Sequence, residues 1–333
     1  SRVRFYQYFP ALREQGFVIR DAPFFLDDYV RRLYANQPVQ IVDVLSAYWQ
    51  RLFILLRARD FDLLWLEKEF LPWMPAWVES LLARQPYVVD YDDAVFHRYD
   101  LHRSTLIRSL LGRKIDEVMQ NAALVVAGNE YLKERAVSAG AKRVEILPSV
   151  VDADLYTPAP ARASGFTVGW IGSPVTVPYL DVARPALEML INGGQAQVSL
   201  IGAGDAIKWK NANIHILPWR EETEIQNIQR FDVGIMPLVD EPFERGKCGY
   251  KLIQYMACGL PVVASPVGVN RQIVENGITG FLAESEQDWQ KALMFLRENP
   301  EKRREMGLAG RAKMEHRYSL KATTPKLVDL LKI

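Results

Sequence analysis

Short apolar runs alternate with helix-like stretches along this chain, and this alternation limits the possible folds. In the second half, the apolar runs that read as strands are Thr167–Ile171, Val198–Ile201, Ile214–Leu217, Val233–Met236 and Leu260–Ala264. The helices predicted around them are Tyr179–Ile191, Glu221–Arg230, Lys247–Ala257, Arg271–Asn276, Glu286–Asn299 and Pro300–His316. Strands that alternate with helices form parallel sheets covered on both faces. The sequence therefore predicts an α/β fold.

The first half shows the same alternation with shorter segments. Its predicted strands are Val18–Ile19, Val39–Val42, Leu63–Leu66, Tyr87–Val89, Leu124–Ala127 and Val144–Pro148. Its predicted helices are Tyr6–Gln15, Ala47–Arg59, Leu106–Asn121 and Glu130–Ala139. Ser1 leads directly into helix-like sequence, whereas an α/β domain usually begins with an apolar strand. We therefore expect the first strand of this domain to be missing and the N-terminus to be truncated.

Length and a change in composition divide the chain into domains. A chain of 333 residues is too long for one ordinary core and suits two. Residues 151–165 are rich in Pro, Ala, Ser and Asp, which is typical of a linker. We predict doubly wound domains at 1–150 and 166–318, and a C-terminal helix at 319–333 that packs back on the first domain. Two such domains face a cleft, and ligands bind beyond the carboxyl ends of the strands.

The charge balance argues against nucleic acid as a partner, because 41 Lys and Arg residues oppose 40 Asp and Glu residues. The two cysteines, Cys248 and Cys258, are too few for a disulfide framework and suit a reducing cytosol as small core residues. We find no apolar run that would span a membrane and no signal peptide. The expected location is therefore the cytoplasm.

The segment Phe243–Ser265 carries the strongest chemical signal. It reads as a loop, a helix that Gly259 ends, and a buried strand. Lys247 and Lys251 are four residues apart, which predicts that they share one face of the helix. A helix start beside a parallel strand presents backbone N–H donors and the positive end of the helix dipole. Together these features predict a phosphate site.

Four motifs in the second half resemble those of a known family. They are Pro148–Pro158 (PSVVDADLYTP), Asp232–Pro237 (DVGIMP), Met256–Ser265 (MACGLPVVAS) and Val274–Gly277 followed by Thr279–Leu282. In this order they resemble the donor domain of the family 4 retaining glycosyltransferases of GT-B fold, within glycosyl transferases group 1. The resemblance covers roughly residues 145–318. The first half is less diagnostic, although Gln7–Leu12 resembles the helix after the family's first strand.

The resemblance implies transfer of a sugar from a nucleotide-sugar to an acceptor hydroxyl, with retention at the anomeric carbon, in polysaccharide or glycoconjugate assembly. It also implies that no metal and no other cofactor is needed, because positive side chains take the diphosphate charge. Lys247, Arg245 and Lys251 are the candidates for that role. The alternative for both lysines is that they are solvated residues of a helix face.

This sequence departs from the family where two glutamates are usual. Gln254 stands at the position of the glutamate that holds the ribose, and Gly246 stands at the position of the one that contacts the donor sugar. Gln254 can still accept and donate hydrogen bonds. Glu244 is our candidate to replace the sugar contact, with Glu241 as the other option.

Loops after other predicted strands supply further candidates. In the loop after Tyr87–Val89, His97 or the pair Asp92 and Asp93 would contact the donor sugar or orient the acceptor, or serve as surface and capping residues. A metal site at these aspartates is disfavoured because the surrounding pattern is GT-B. On the acceptor side, Glu67 and Glu69 either line the cleft mouth or are simply exposed.

In the donor domain, Gly172 and Ser173 would approach the phosphates through backbone N–H groups. Trp219 would form a wall of the nucleobase pocket or belong to the core. Asn129 is interpreted as the N-cap of the following helix. The glycines at 202 and 204 resemble a dinucleotide loop that lacks its third glycine, so we do not assign them a site.

The first domain also carries arginines among aromatic residues. Most of the aromatic residues would be core, but a minority would form a patch near anionic lipid with Arg31, Arg32, Arg51, Arg57 and Arg59. Such peripheral membrane contact suits a lipid-linked acceptor; glycan and small-molecule acceptors are equally compatible. The competing functions are a nucleotide-sugar epimerase or a sugar phosphorylase of the same fold, and a catalytically inactive protein that binds sugar nucleotides.

Overall fold

The computed structural model of the chain describes residues 1–26, 29, 32, 38, 40–82, 85–158, 165–209 and 211–333. The chain divides into two units. The first consists of Ser1–Leu147 and Lys326–Ile333, and the second of Pro148–Pro325. None of the helices in the described ranges is long and apolar enough to cross a bilayer.

The first unit is built on a four-stranded parallel sheet whose strands follow chain order. Its strands are β1 (Leu64–Glu67), β2 (Tyr87–Tyr91), β3 (Leu124–Ala127) and β4 (Val144–Ile146). Its helices are α1 (Phe9–Glu14), α2 (Ile41–Leu56), α3 (Ala76–Leu82), α4 (His97–Asp100), α5 (Thr105–Leu111), α6 (Lys114–Asn121) and α7 (Glu130–Ser138), with 3₁₀ turns at Tyr6–Tyr8 and Ala58–Asp60. β2 and β3 are buried along their whole length, which is typical of central parallel strands.

The second unit is built on a six-stranded parallel sheet in the order β10-β9-β8-β5-β6-β7. Its strands are β5 (Thr167–Ile171), β6 (Gln197–Ile201), β7 (Ile214–Leu217), β8 (Val233–Met236), β9 (Val262–Ala264) and β10 (Gly280–Leu282). Its helices are α8 (Arg184–Asn192), α9 (Glu221–Ile228), α10 (Pro242–Arg245), α11 (Tyr250–Ala257), α12 (Asn270–Ile273), α13 (Glu286–Glu298) and α14 (Pro300–Arg317), with 3₁₀ segments at Pro174–Val182 and Gly204–Ala206. A last helix, α15 (Leu320–Leu331), begins in the second unit and ends in the first.

Helix α11 is fixed to the centre of the second sheet by one tyrosine. The Tyr255 hydroxyl accepts a hydrogen bond from the backbone N–H of Ile171 at 3.0 Å and donates to the carbonyl of Ile235 at 3.3 Å. A β-carbon at Gly234 would lie 2.2 Å from the Tyr255 ring, so the ring needs a glycine beneath it. The second half of α11 is thereby held over the junction of β5 and β8.

Most strands lie where the sequence predicts them, and the errors have local causes. Thr167–Ile171, Ile214–Leu217, Val233–Met236 and Leu124–Ala127 are confirmed with the predicted bounds. The strand predicted at Val18–Ile19 is wrong, since these residues have no regular structure. Ile41 and Val42 begin helix α2 instead of a strand, and Val39 lies outside the described residues.

The helix predicted at Tyr179–Ile191 begins as a 3₁₀ segment, which contains Pro178, and becomes α-helical only at Arg184. The helix predicted at Leu106–Asn121 is two helices: α5 ends at Leu111, and α6 begins at Lys114 after Gly112 and Arg113.

Three predictions about single residues are confirmed. The Asn129 side chain accepts a hydrogen bond from the backbone N–H of Leu132 at 3.0 Å, as an N-cap does. Gly259 follows the end of α11 with a left-handed backbone of φ +71°. Cys248 and Cys258 are buried and form no disulfide, so both fill space in the core.

A buried ion cluster supports the loop that follows β1. The ammonium of Lys114 lies 2.6 Å from a Glu69 oxygen and 2.9 Å from a Glu79 oxygen, and none of the three side chains is more than 4% exposed. Glu79 also accepts a hydrogen bond from the Leu71 N–H at 2.9 Å. Burial raises the pKa of Glu79, although Lys114 acts in the opposite direction. The cluster therefore joins this loop to α3 and α6.

Candidate functional site

The strand order of the second sheet reverses at β5, which has β6 on one side and β8 on the other. At such a reversal the loops leaving the two carboxyl ends diverge, and a ligand can enter between them. The loop after β5 begins at Gly172 and Ser173 and continues into the 3₁₀ segment. The loop after β8 contains α10 and leads to α11. This edge of the second sheet is the candidate site.

Lys247 and Lys251 come close together at this edge, but not on one helix face as their spacing predicted. Helix α11 begins only at Tyr250, because Gly249 before it has a left-handed backbone with φ +66°. Lys247 therefore lies in the turn between α10 and α11, and Lys251 lies in the first turn of α11. A β-carbon at Gly249 would lie 2.3 Å from the side chain of Ile273, so available space also requires glycine there.

Aromatic rings contact both ammonium groups. The Nζ atom of Lys251 lies 4.5 Å from the ring centre of Trp170. The Nζ atom of Lys247 lies 5.0 Å from the ring centre of Phe243 and 5.8 Å from that of Tyr179. Ring faces attract cations but do not neutralise their charge. The site therefore places two lysine side chains beside ring faces at this edge of the second sheet.

Lys251 is poised to change its protonation state. Burial, and then the charge of Lys247, lower the pKa of Lys251 to about 7. No carboxylate pairs with Lys251 among the residues that the structure describes. An amine in this position gains a proton most readily when a negative group comes next to it.

The predicted backbone contacts of Gly172 and Ser173 with phosphate are not available in this structure. The N–H of Gly172 donates to the carbonyl of Ile201 at 2.9 Å and so extends the pairing of β5 with β6. The N–H of Ser173 donates to the hydroxyl of Thr176 at 3.1 Å. Both donors are therefore used inside the protein.

Glu244 and Arg245 are neighbours in α10 with different surroundings. Glu244 is buried and accepts a hydrogen bond from the hydroxyl of Tyr179, so it connects the loop after β8 to the loop after β5. Arg245 is about half exposed, and its Nε atom lies 2.7 Å from an Asp240 oxygen. Glu244 thus belongs to the candidate site, whereas Arg245 is held by a carboxylate at the surface.

A hydrogen-bonded network connects Gln254 to Trp219. The amide nitrogen of Gln254 donates to the Tyr156 hydroxyl at 2.9 Å, and that hydroxyl donates to Glu224. The other Glu224 oxygen accepts from the indole N–H of Trp219 at 2.6 Å. Gln254 and Glu224 are buried, whereas Trp219 is 44% exposed. One buried carboxylate therefore fixes both the tryptophan and the tyrosine that contacts Gln254.

Sequence reasoning missed Glu224, Tyr156 and Tyr179. Glu224 lies in the predicted helix Glu221–Arg230, but the spacing does not indicate which of that helix's acids turns inward. Tyr156 lies 98 residues from its partner Gln254, and Tyr179 lies 65 residues from Glu244. Such contacts become visible only when the fold brings the segments together.

In the first unit, the loops after β1 and β2 leave the same edge of the sheet, because the register pairs Glu67 with Asp90. The ammonium of Lys68 lies 3.0 Å from an oxygen of Asp92 there. Although burial acts in the opposite direction, Lys68 lowers the pKa of Asp92. Lys68 adopts a left-handed backbone with φ +67°, which is uncommon for a residue with a side chain and is not indicated by any sequence motif. Asp93 is partly buried beside this pair.

Glu69 and His97 are both engaged by other side chains. The alternative that Glu69 is simply exposed is wrong, because its carboxylate is buried against Lys114 and accepts a hydrogen bond from the Tyr99 hydroxyl. His97 has its Nδ1 atom 2.8 Å from an Asp100 oxygen and its Nε2 atom 2.8 Å from the Tyr131 hydroxyl. Both ring nitrogens of His97 are therefore occupied within the first unit.

A metal centre is not apparent in the described part of the chain, where no group of three or more His, Cys, Asp or Glu side chains is placed to hold an ion. The positive charge at the edge of the second sheet comes from lysine side chains.

Comparison with known proteins identifies a matching family model and similar curated proteins. Residues 165–299 match the family model of glycosyl transferases group 1. A D-inositol 3-phosphate glycosyltransferase of Mycobacterium sp. (strain KMS) is 26% identical in an alignment 199 residues long that covers 52% of this chain and 44% of that protein. The enzyme of the same name from Mycolicibacterium smegmatis is 24% identical in an alignment 226 residues long that covers 60% of this chain and 50% of that protein. The chain spans about half the length of these curated relatives.

Solved structures share the fold over most of the chain. Anabaena HepE in complex with UDP and glucose superposes with a TM-score of 0.69 at 20% identity, covering 85% of this chain and 80% of that one. Sucrose-phosphate synthase from Thermosynechococcus elongatus superposes with a TM-score of 0.68 at 16% identity, covering 89% and 80%. At these identities the likeness shows the fold. The predicted α/β class with two Rossmann-like domains of GT-B type is confirmed.

Proposed function

We propose that this chain, whose residues 165–299 belong to the glycosyl transferases group 1, transfers a sugar from a nucleotide-sugar to an acceptor hydroxyl. The observation that carries the proposal is the pair Lys247 and Lys251 at the reversal of the second sheet. Two cations in contact with rings, one of them without a carboxylate partner among the described residues, suit a diphosphate. The relatives named for glycosyl transfer and the neighbour that binds UDP and glucose support the same ligand class.

The proposed reaction is a front-face displacement that retains the anomeric configuration. The bond between the anomeric carbon and the diphosphate oxygen breaks, and the acceptor oxygen forms its bond on the same face. The leaving diphosphate takes the proton of the acceptor hydroxyl, so no strong protein base is needed. Lys247 and Lys251 stabilise the negative charge that develops on the diphosphate. In this proposal the lysines neutralise the diphosphate without a metal or other cofactor.

We assign the nucleoside to the network around Glu224. The partly exposed ring of Trp219 is proposed to stack on a base. The hydrogen bond from its indole N–H to Glu224 holds the ring in place. The carbonyl oxygen of Gln254 is the acceptor proposed for a ribose hydroxyl, since its amide nitrogen already donates to Tyr156. Glu244, held by Tyr179, is the proposed contact with the donor sugar.

The first unit is proposed to bind the acceptor in polysaccharide or glycoconjugate assembly. Asp92 and Asp93 lie beside Lys68 at the carboxyl ends of β1 and β2, where the partly exposed Glu67 also lies. These carboxylates are suited to accept hydrogen bonds from sugar hydroxyls. His97 remains a candidate contact only if the hydrogen bonds to Asp100 or Tyr131 open.

A panel of nucleotide-sugars tests the function directly. The cognate donor at a concentration of about 100 times its Kd should stabilise the folded protein by about 2.7 kcal/mol, seen as a rise of several degrees in Tm. Nucleoside monophosphates serve as the matched ligands without the diphosphate. Transfer or slow hydrolysis of the stabilising donor, followed by NMR of the anomeric proton, separates a glycosyltransferase from an inactive binding protein. Conversion to an epimeric nucleotide-sugar would instead identify an epimerase, and the absence of any shift across the panel would contradict the proposal.

The affinity for the donor is expected to fall as pH rises above 7. In the free protein the lowered pKa of Lys251, about 7, means that the amine is increasingly neutral above that pH. A bound diphosphate favours the ammonium form, so binding must take up a proton, and Kd should increase by up to about tenfold per pH unit until the pKa of the complex is reached. Isothermal titration calorimetry between pH 7 and 9 in buffers of different ionisation enthalpy measures both the affinity and the proton uptake.

Lys251→Met provides the comparison for this pH dependence. The variant should bind the donor more weakly at pH 7 and lose the proton uptake. Lys302→Met is the matched control, because Lys302 is an exposed lysine that pairs with Glu305 in α14. Proton uptake that persists in Lys251→Met would assign the titration to another group.

A further inference from the structure

Helix α2 is apolar on the side that faces solvent as well as on the side that faces the protein. Ala47 and Leu55 are buried beneath it. The large apolar side chains on its outer side are 50–74% exposed: Ile41, Val42, Leu45, Trp49, Phe53 and Leu56. Four of them recur at intervals of four residues, so they form a stripe along one face.

A second exposed set lies around α5 and is interleaved with positive charge. Leu101, Leu106 and Leu110 are 58–68% exposed. The same segment carries exposed arginines at 103, 108 and 113, and residues 101–114 contain no Asp or Glu. A segment of exposed leucines and arginines without acids is typical of helices that lie on anionic membranes.

Contacts within the first unit join these two sets. The hydroxyl of Tyr48, in α2, donates to the carbonyl of Pro72. The next residue, Trp73, contacts the ring of His102 with centroids 5.9 Å apart. The segment after Pro72 carries a third set of exposed apolar side chains: Trp73, Met74, Trp77 and Leu81. The three sets, which we call the apolar-basic surface, are therefore neighbours.

The apolar-basic surface stands out against the rest of the described chain. It holds 13 of the 26 large apolar residues that are exposed there, whereas the whole second unit holds eight, spread along its length. Single exposed apolar residues are ordinary, but a concentration of them marks an interaction surface.

The arginines expected near lipid from the sequence divide into two kinds. Arg51 donates to the carbonyl of Ala22, and Arg32 pairs with Asp43, so both serve the protein itself. Arg57 and Arg59 are exposed at the end of α2, and the Arg57 guanidinium lies 4.3 Å from the ring centre of Phe53. Arg31 lies outside the described residues.

We propose that the apolar-basic surface docks the first unit on a bilayer that contains anionic lipid. The arginine stems can lie along the apolar side chains while their guanidinium groups reach lipid phosphates. A second copy of the chain is a poorer occupant. Self-association through this surface would bury the arginines at 103 and 113, and residues 101–114 of the second copy offer no carboxylate to pair with them.

Vesicle co-sedimentation tests the docking with the whole chain. The protein should sediment with vesicles of phosphatidylcholine and phosphatidylglycerol, and much less with phosphatidylcholine alone. Because one surface arginine contributes about 1 kcal/mol on an anionic membrane, Arg103→Gln with Arg113→Gln should lower partitioning by about 20- to 30-fold. Leu106→Glu with Leu110→Glu should reduce binding to both kinds of vesicle.

A matched substitution on the second unit provides the control. Leu308→Glu changes a leucine of α14 that is 55% exposed and should leave sedimentation unchanged. All variants alter exposed side chains, so their far-UV circular dichroism and Tm should match the parent protein. If the leucine pair nevertheless destabilises α5, the arginine pair still tests the charge requirement.

Three results would overturn the docking proposal. The first is an unchanged partition coefficient in both double variants. The second is an equal loss of binding in Leu308→Glu. The third is a protein that does not bind vesicles but forms a dimer in analytical ultracentrifugation without lipid. If the double variant Leu106→Glu with Leu110→Glu dissociates that dimer, the surface belongs to the interface with a second copy.

Discussion

Lys247→Ala is expected to lower kcat/KM for sugar transfer by about ten- to a hundredfold, because one charge-assisted hydrogen bond to the leaving diphosphate is worth about 1.5–3 kcal/mol. The side chain is half-buried between the rings of Phe243 and Tyr179, so alanine also loses packing there. If Lys247 acts mainly on the charge that develops during bond cleavage, kcat should fall more than donor affinity. Steady-state kinetics with the stabilising donor and isothermal titration calorimetry measure the two quantities separately.

Lys302→Ala is the control for this experiment, since Lys302 is exposed in α14 and pairs only with Glu305 among the contacts described for it. Its kinetics should match those of the parent protein. Full activity in a folded Lys247→Ala protein would show that the diphosphate lies elsewhere. A donor affinity reduced as much as kcat/KM, with kcat unchanged, would restrict Lys247 to ground-state binding.

Lys114→Met is expected to destabilise the first unit by about 3–5 kcal/mol, because it removes the cation that contacts two buried carboxylates and leaves Glu69 with only the more distant Arg98, at 3.9 Å. Glu69 and Glu79 both lie within 3 Å of the Lys114 ammonium, which is fully buried. Methionine is close to lysine in length and retains most of the packing. Native-state hydrogen exchange of the β2 amides reports the loss, and the amides of β8 report on the second unit.

The double variant Lys114→Met with Glu79→Gln separates charge from packing. It removes one of the uncompensated carboxylates and should recover part of the stability lost by Lys114→Met alone. Protection of β2 that is unchanged in the single variant would mean that water or another cation compensates the carboxylates. Equal losses in β2 and β8 would mean that the two units unfold together.

The sequence predicts the second unit well because its signals are local. Val233–Met236 is a buried run between Asp232 and Pro237, and such a run indicates a strand without knowledge of its neighbours. The cap at Asn129 depends only on the next three residues. The strand prediction at Ile41–Val42 is wrong because β-branched residues favour strands locally, whereas here they begin a helix of 16 residues.

The candidate site was harder to predict, since its geometry depends on contacts between distant segments. The four-residue spacing predicted that Lys247 and Lys251 lie on one helix. The left-handed backbone of Gly249 ends that continuity, so Lys247 lies before the helix, yet its charge still acts on Lys251. The N–H of Gly172 looked available for phosphate until its pairing with Ile201 was seen. The partner that makes Glu69 a buried residue, Lys114, lies 45 positions further along the chain.

The placement of Lys251 over Trp170 gives the protein an intrinsic optical reporter. A full charge 4.5 Å from the centre of an indole shifts the energies of its electronic transitions, and Trp170 is shielded from water at 1% exposure. Protonation of this one amine, whether by acid or by an arriving anion, should therefore change the emission of a single buried tryptophan. The occupancy of the lysine site can then be followed by fluorescence in real time, without any label attached to the chain.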